Sequence, residues 1–437
     1  AFMARGQAPA PDASGAAPAA PPVVITLDEA IHRAQSSDAN YAAAVAASRS
    51  AALDRTIAYG NLLPSVVYHN QGLYTQPNGL TNQAGQGVAS QPAPRFIANN
   101  AVREYASQAS VNETLGLSSV AGVRRTQALA AQGSAEQEIA RRGLVAAVVS
   151  LFYESLAADR KLAVAGRARQ EAGDFTKLTG QREQARESAR ADVIKAQLEE
   201  QARTRDLQNA EVEAEKARLE LGVLLFSDPR TAYTLSAPEA TPALAAREEI
   251  DAAAAKNNPE LRSALEAVRA SNAGVAAAWA SYLPDVALNY TYGIDAPQFA
   301  VNGPDNVRNL GYSAMVTVDI PVWDWFNTQR RVKQSEIARQ TTRVALSATQ
   351  RQLVARLDEA YSEAATARDE LASLDLSVST AAESLRLTKM AYTGGEATVL
   401  EVVDAQNAYI TAQNAREDGR VRYEAARASL QTLTGTM

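Results

Sequence analysis

Two segments in the second half of the chain alternate regularly between apolar and polar residues. Across 286–294, every second residue is apolar, and the residues between them are small or polar. Residues 312–320 repeat this pattern and end just before Pro321. Alternation over about ten residues is typical of a strand that crosses a membrane between lipid and water. We predict strands over about 285–295 and 311–321; a hairpin packed on the core of a water-soluble protein is the alternative.

The first half of the chain contains the same succession of patterns. In each half a helix rich in small residues leads through Leu-Pro into a strand, at Pro64 and again at Pro284. The first-half strands are predicted over about 65–74 and 105–115, although polar residues interrupt the apolar face of this hairpin. A repeat of about 200 residues indicates a duplicated domain rather than a short solenoid unit.

The segments that follow the hairpins have helical periodicity. Small and apolar residues recur every seven positions from Leu346 to Ala381, and a second lane runs from Leu357 to Tyr392. This heptad pattern predicts a long helix in coiled-coil packing. A helix of about 60 residues spans roughly 90 Å, which two helices of roughly 35 residues placed end to end would match. The predicted helices cover about 26–61, 124–179, 191–225, 248–282 and 328–392, and a final helix after the turn at Gly394-Gly395 runs to about 433.

These patterns divide the chain into four parts. Residues 1–24 form a flexible tail rich in alanine and proline, in which we expect no signal peptide because the charged start and apolar core are missing. Residues 25–227 form the first structural repeat, and Thr26 with Glu29 is a capping box for its first helix. Residues 228–246 are a linker, and residues 247–437 form the second repeat.

Composition argues against several function classes. The net charge of −6 and the lack of a basic block predict no nucleic-acid partner. Cysteine is absent, which excludes disulfides and thiolate sites. The chain has no phosphate-binding glycine loop, no catalytic GxSxG or HExxH motif, and two histidines, His32 and His69. We therefore predict no enzyme, no cofactor and no metal site, and no apolar run is long enough for a transmembrane helix.

Aromatic residues gather where helices meet strands. The set is Tyr59, Trp279, Tyr282, Trp323 and Trp325, with Pro64, Pro284 and Pro321 marking the junctions. Tryptophan and tyrosine favour the membrane–water interface, so this grouping predicts an interfacial girdle in contact with lipid. Four strands cannot close a barrel in lipid, and the smallest bacterial barrels have eight. Several copies must then share one barrel: three copies give twelve strands, and four give sixteen.

Four segments carry a resemblance to a known family. They are the two Leu-Pro junctions, ITLDEAI at 25–31, VDIPVWD at 318–324 and MAYTGGEATVLEVVDAQNAY at 390–409. From Thr26 onward the chain resembles the TolC-like outer-membrane efflux proteins. The resemblance implies a mainly α protein with a membrane β-barrel: a homotrimer with a twelve-stranded barrel, a periplasmic α-helical tunnel and an equatorial region that includes the linker.

The resemblance also implies a tunnel tip at two helical turns, over 180–190 and 394–398. The residues expected to contact an adaptor there are Gly180, Arg186, Arg190, Gly394, Gly395 and Ala397. Glu401 and Asp404, three apart on one helix face, would form stacked carboxylate rings that attract cations in a trimer. A solvated helix face is the alternative interpretation.

Two further residues complete the predicted gate. The internal repeat aligns Asp192 with Glu401, and Tyr392 matches a family residue that holds the entrance closed, with Asp192 as its suggested hydrogen-bond partner. Ala397 stands where the family often has an arginine, for which Arg186 or Arg190 would substitute.

The implied function is an exit duct of a tripartite efflux or type I secretion system. It would sit in the cell outer membrane, extend into the periplasm, and work with a periplasmic adaptor and an inner-membrane pump of the RND or ABC type. The alternative is a periplasmic or surface coiled-coil scaffold without a pore, against which the alternating strands and junction aromatics argue.

Overall fold

The structure, a computed structural model, describes residues 23–74, 103–236, 243–303 and 307–435. The first half contains β1 (Val23–Ile25), α1 (Leu27–Ser37), α2 (Ala39–Gly60), β2 (Ser65–Tyr74), β3 (Arg103–Leu115), α3 (Leu117–Gln184) and α4 (Arg190–Leu225). The second contains β4 (Tyr233–Leu235), α5 (Arg247–Asn257), α6 (Pro259–Ala280), β5 (Asp285–Ala296), β6 (Leu310–Asp319), α7 (Asn327–Gly394) and α8 (Val399–Thr434). The predicted tail lies largely outside the described residues, as does part of the linker.

Equivalent helices in the two halves have equal lengths. Helices α1 and α5 have 11 residues each, and α2 and α6 have 22. Helices α3 and α7 have 68 residues each, and α4 and α8 have 36. Each described half therefore presents the same elements in the same order.

The helix predicted as one piece before each Leu-Pro is in fact two helices. Asp38 and Asn258 leave the helical conformation at these breaks, and each caps the helix that follows. The Asp38 carboxylate accepts a hydrogen bond from the Tyr41 amide at 2.6 Å, and the Asn258 side chain accepts one from Leu261 at 2.8 Å. Such side chains compete with the helical backbone for hydrogen bonds, so the single-helix prediction was wrong at both places.

The four membrane-type strands form one antiparallel sheet with the order β2-β3-β5-β6. Directly opposite residues share a face, so Leu288 and Tyr290 lie beside Val316 and Ala314 on an apolar face. On the other face, polar side chains bond across the strands. Ser110 lies 3.2 Å from Thr291, Gln108 donates to Asp295 at 3.1 Å, and Asn289 donates to Asn112. In the second hairpin, the sheet thus separates an apolar surface from a polar one. In the first hairpin, Asn70, Ser107 and Glu113 interrupt the apolar face, and Ser107 donates to Asn70 there at 2.7 Å.

A small core joins the start of the chain to the segment between the halves. Strands β1 and β4 pair in parallel, and Ile25, Phe152 and Leu221 are buried together beside them. Tyr233 donates a hydrogen bond to the Arg218 carbonyl at 2.7 Å. Burial raises the pKa of Tyr233 to about 12.

The shorter helices meet near their ends along the two long helices. Ser37, at the end of α1, donates to the carbonyl of Leu224 at the end of α4, at 2.7 Å. Asn258, at the start of α6, donates to the carbonyl of Leu433 at the end of α8, at 3.2 Å. This arrangement agrees with the end-to-end stacking that the helix lengths predicted.

The predicted heptad seam of α7 is confirmed. Its positions are all buried or half-buried, and Leu353, Leu357 and Ala364 pack with Ile250 and Leu430 in one core cluster. Within the described chain, every helix is too short or too polar to serve as a membrane span.

Candidate functional site

The long helices end at two turns, which link α3 to α4 and α7 to α8. The first turn lies within the predicted range 180–190 but not at Gly180, because α3 continues through Gly180 to Gln184. One glycine inside a helix costs about 1 kcal/mol, which tertiary packing readily offsets in a helix of this length. The chain turns instead at Arg186, whose φ of 68° is left-handed, and the Glu187 amide donates to the Arg182 carbonyl at 2.8 Å.

The second turn depends on glycine. Gly395 has a φ of 82°, a conformation that only glycine adopts without strain. Its amide donates to the Tyr392 carbonyl at 3.1 Å, and the Glu396 amide donates to the Ala391 carbonyl at 2.9 Å. These bonds close α7 with a helix-terminating motif, and Gly394 is the last helical residue.

Helix α8 begins with a capping box that the sequence analysis did not identify. The Glu401 amide donates to the Thr398 hydroxyl at 3.3 Å, and the Glu401 carboxylate accepts from the Thr398 amide at 2.5 Å. The hydrogen bond from the Thr398 amide lowers the pKa of Glu401, and the bond from the Thr398 hydroxyl lowers it to a smaller extent. Thr26 caps α1 as predicted, at 3.3 Å from the Glu29 amide, but Glu29 pairs with Arg33 at 2.6 Å.

An apolar cluster beneath the two turns joins all four helices. Its buried members are Phe175, Ala196, Tyr392, Val399 and Val402. Tyr392 is 5% exposed, and its ring centre lies 5.1 Å from that of Phe175. Its hydroxyl lies 3.4 Å from the Thr179 hydroxyl on α3. Tyr392 therefore holds the end of α7 against α3.

Arg182 makes a short polar contact with this cluster. Its Nη1 donates to the Tyr392 carbonyl at 2.6 Å, and its guanidinium lies over the Tyr392 ring, 4.9 Å from the centroid. The Glu187 carboxylate lies 3.5 Å from Nε of the same arginine. Nothing in the local sequence distinguishes Arg182, because its role arises only where α3 meets the end of α7.

The other predicted gate residues lie around this contact. Asp192 pairs with Lys195 at 3.6 Å on its own helix, so the suggested Asp192–Tyr392 hydrogen bond is wrong within this chain. Arg190 lies 3.8 Å from Glu183, and Arg186 is exposed. Thr179 and Arg182, rather than Asp192, make polar contacts with Tyr392 within the described residues.

The remaining tip residues are placed on the surface of the same helices. Ala397 is half-buried against the apolar cluster. Glu401 and Asp404 are exposed on α8, one turn apart, while Asp192 is half-buried on the first turn of α4. Lys389, one turn before Tyr392 on α7, pairs with Glu171 of α3 at 2.6 Å. The tip therefore combines exposed carboxylates with a polar clamp between α3 and α7.

The junction aromatics lie at the opposite end of the helices. The exposed set is Tyr59, Trp279, Tyr282, Trp323 and Trp325. The ring centres of Trp279 and Tyr282 are 5.7 Å apart, and those of Trp323 and Trp325 are 5.9 Å apart. Pro64 and Pro284 each directly precede a strand, and Pro321 follows β6.

Known proteins share this architecture, in sequence over part of the chain and in fold over most of it. Residues 252–436 match the family model "Outer membrane efflux protein". This part of the chain is similar to the outer membrane efflux proteins. The chain is 24% identical to the outer membrane protein OprJ of Pseudomonas aeruginosa over 180 residues, which are 41% of this chain and 37% of that relative's length.

Solved structures extend the likeness to nearly the whole chain. The outer membrane protein VceC of Vibrio cholerae is 15% identical, with a TM-score of 0.76 over 94% of this chain and 96% of that one. The open state of the MtrE outer membrane channel of Neisseria gonorrhoeae is 17% identical, with a TM-score of 0.75 over 94% and 88%. The resemblance and the mainly α fold class inferred from the sequence are confirmed.

Proposed function

We propose that three copies of this chain form an exit duct in the outer membrane. The observation that carries the proposal is the four-stranded sheet, which has one largely apolar face and two edges, β2 and β6, that no other strand of the described residues pairs with. Open edges are not tolerated in lipid. Three antiparallel steps separate β2 from β6, so β6 of one copy can pair antiparallel with β2 of the next. Three copies then close a barrel of twelve strands.

The helices would extend this barrel into the periplasm. Each strand of the sheet is directly connected to a helix: β2 to α2, β3 to α3, β5 to α6 and β6 to α7. At 1.5 Å per residue, the 68-residue helices reach about 100 Å. Such a tube meets an inner-membrane pump of the RND or ABC type and its periplasmic adaptor at the far turns. Those partners supply the energy and open the duct.

The gate we propose is the tip described above. The Arg182–Tyr392 contact holds α7 against α3 in the closed arrangement, and the turns around Arg186 and Gly395 contact the adaptor. In the trimer, Glu401 and Asp404 would form two rings of carboxylates that favour cations. Both acids are exposed on one face of α8, and the hydrogen bonds of the capping box lower the pKa of Glu401.

Conductance across planar bilayers tests both the duct and the acid rings. The purified protein should behave as a detergent-requiring trimer that forms cation-preferring channels. Replacing Glu401→Gln together with Asp404→Asn should reduce the cation preference severalfold, because each ring loses three charges. Glutamine still completes a capping box, so α8 should remain intact.

Two results would contradict the proposal. A water-soluble dimer without conductance would contradict the proposed duct and favour the coiled-coil scaffold. An unchanged cation preference in the double variant, in channels of normal conductance, would contradict the proposed acid rings but not the proposed duct.

A further inference from the structure

An apolar groove lies just below the sheet, between two helices of one chain. The first two turns of α3 and the end of α6 line it, and its volume is about 630 Å³. Leu117 and Val120 line one side, and Trp279, Tyr282 and Leu283 line the other. Helix α3 follows β3 after a single glycine and β5 begins at Asp285, so the groove adjoins the sheet where we place the membrane surface.

In the proposed trimer, a neighbouring copy of the chain would not cover this groove. Helices α3 and α6 adjoin β3 and β5, which are the two inner strands of the sheet. In the proposed trimer, neighbouring copies join at the outer strands, β2 and β6. Leu117 is 58% exposed and Trp279 is 54% exposed. Leaving this much apolar surface in water costs about 25 cal/mol per Å², so the groove favours a hydrocarbon occupant.

One cationic side chain lines the groove. Arg124 follows Leu117 by seven residues, about 10 Å along α3 and away from the sheet. Arg124 and its neighbour Arg125 are exposed, and neither has an ion pair or side-chain hydrogen bond to any residue that the structure describes. Further along the same helix, Arg142 and Arg160 are both paired with glutamates. An unpaired guanidinium at the foot of an apolar groove is complementary to a phosphate.

We propose that this groove binds an anionic glycerophospholipid of the membrane leaflet that faces the periplasm. Its acyl chain would lie against Leu117, Val120 and Trp279, and its phosphate would receive the Arg124 guanidinium. Tyrosine and tryptophan at the level of the headgroups suit this arrangement. The inference rests on the proposed function, because that proposal places the sheet in a membrane.

Quenching of Trp279 by brominated lipid tests the site directly. The chain has three tryptophans, so Trp323→Phe with Trp325→Phe leaves Trp279 as the single reporter. This protein is reconstituted in phosphatidylcholine vesicles containing either brominated phosphatidylglycerol or brominated phosphatidylcholine. We expect the anionic lipid to quench Trp279 at lower mole fraction, by about fivefold for one cationic contact. Ion flux through the same vesicles verifies insertion.

Two variants assign the preference to one residue. Arg124→Gln should remove the advantage of phosphatidylglycerol, and Arg124→Lys should keep part of it. Arg205→Gln is the matched control, because Arg205 is also exposed but lies in the middle of α4, far from the sheet. It should leave the preference unchanged.

The outcomes separate this inference from the proposed function. Equal quenching by the two lipids, or a preference that survives in Arg124→Gln, overturns the phospholipid site. Trp279 left unquenched by both lipids in vesicles that conduct ions also overturns it, because the groove then faces the lumen. Failure to insert or conduct in either lipid overturns the proposed duct itself, and the site with it.

Discussion

Arg182 connects groups that are far apart in the sequence. It reaches from α3 to the last turn of α7, where its guanidinium both donates to the Tyr392 carbonyl and covers the Tyr392 ring. A hydrogen bond to a charged group contributes about 1.5–3 kcal/mol. Its loss would leave the Tyr392 carbonyl, in the last turn of α7, with the Gly395 amide alone. The contact is therefore strong enough to bias a gate whose two states differ by a few kcal/mol.

Removing this contact should loosen the tip. We expect Arg182→Ala to raise the open probability of the channel in planar bilayers by about tenfold, which corresponds to 1.4 kcal/mol. Arg182→Lys keeps a charge but not the planar fork, so its effect should be intermediate. Arg169→Ala is the matched control, because Arg169 is an exposed residue of the same helix. Identical gating of Arg182→Ala and the control would show that the contact does not hold the tip.

The sequence predicted some residues of the tip and missed others for a physical reason. Gly395 and Tyr392 stand out because a double glycine ends a long heptad and a family motif surrounds them. Arg182 carries no local signal, since its partner is 210 residues away. The capping role of Glu401 is a local pattern that was overlooked in favour of an acid ring.

At the scale of the helices, periodicity predicts where they lie more reliably than where they break. The α7 seam follows from its heptad, because one stripe of small and apolar residues must face a partner. The breaks at Asp38 and Asn258 lie inside helical patterns, and they follow from side chains that outcompete the backbone. A single glycine at position 180 is too weak a signal to end a helix of 68 residues.

A charged node in the middle of α3 ties several helices together. Arg142 donates to the carbonyls of Thr432 at 3.1 Å and Asn257 at 3.2 Å, so one side chain satisfies the ends of α8 and α5. Glu138 binds Arg142 at 2.7 Å and Arg141 at 2.8 Å. Hydrogen bonding to Arg141, opposed by partial burial and reinforced by Arg142, lowers the pKa of Glu138 to about 2.

This node predicts a loss of stability in acid. Because the folded pKa lies below the ordinary glutamate value of 4.5, the contribution of Glu138 to the free energy of unfolding is complete above that pH and is lost as the pH falls towards 2. Solvent screening reduces it to about 1 kcal/mol. We expect Glu138→Gln to lower the protection of α3 amides from hydrogen exchange at pH 7 and to make it less dependent on pH below 4.5.

Glu136→Gln is the control for this prediction. Glu136 is an exposed acid two residues away, and no arginine pairs with it in the described chain. If both variants lost the same protection and kept the same pH dependence, the node would not be the source of the acid sensitivity.

At the scale of the whole molecule, the duplication and the proposed trimer together give a tube of six near-equivalent units. Each unit supplies two strands, one long helix and a set of shorter helices, and the helix lengths repeat without change. The two turns do not repeat: one is organised by Arg186 and the other by Gly395. A sixfold tube would have no reason to differ at its tip, so the difference there supports a gate that moves one half of each chain relative to the other.

The closure of the barrel by three copies can be tested with cysteines, since the natural chain has none. Val66 and Val318 lie on the two edge strands, each one residue from the helical end of the sheet and on its apolar face. They are 72% and 53% exposed within one chain. If β6 of each copy pairs with β2 of the next, these two positions should lie close together across the junction.

Oxidation of the Val66→Cys/Val318→Cys variant should therefore give covalent dimers and trimers on denaturing gels. A second variant, Val66→Cys/Val316→Cys, tests the neighbouring register, in which β6 is shifted by two residues along β2. The control is Val286→Cys/Val318→Cys, because Val286 and Val318 are directly opposite within one chain and should give only a cross-linked monomer. If the control oxidised and both edge pairs remained monomeric, strands β2 and β6 would not meet between copies, and the twelve-stranded barrel would have to be abandoned.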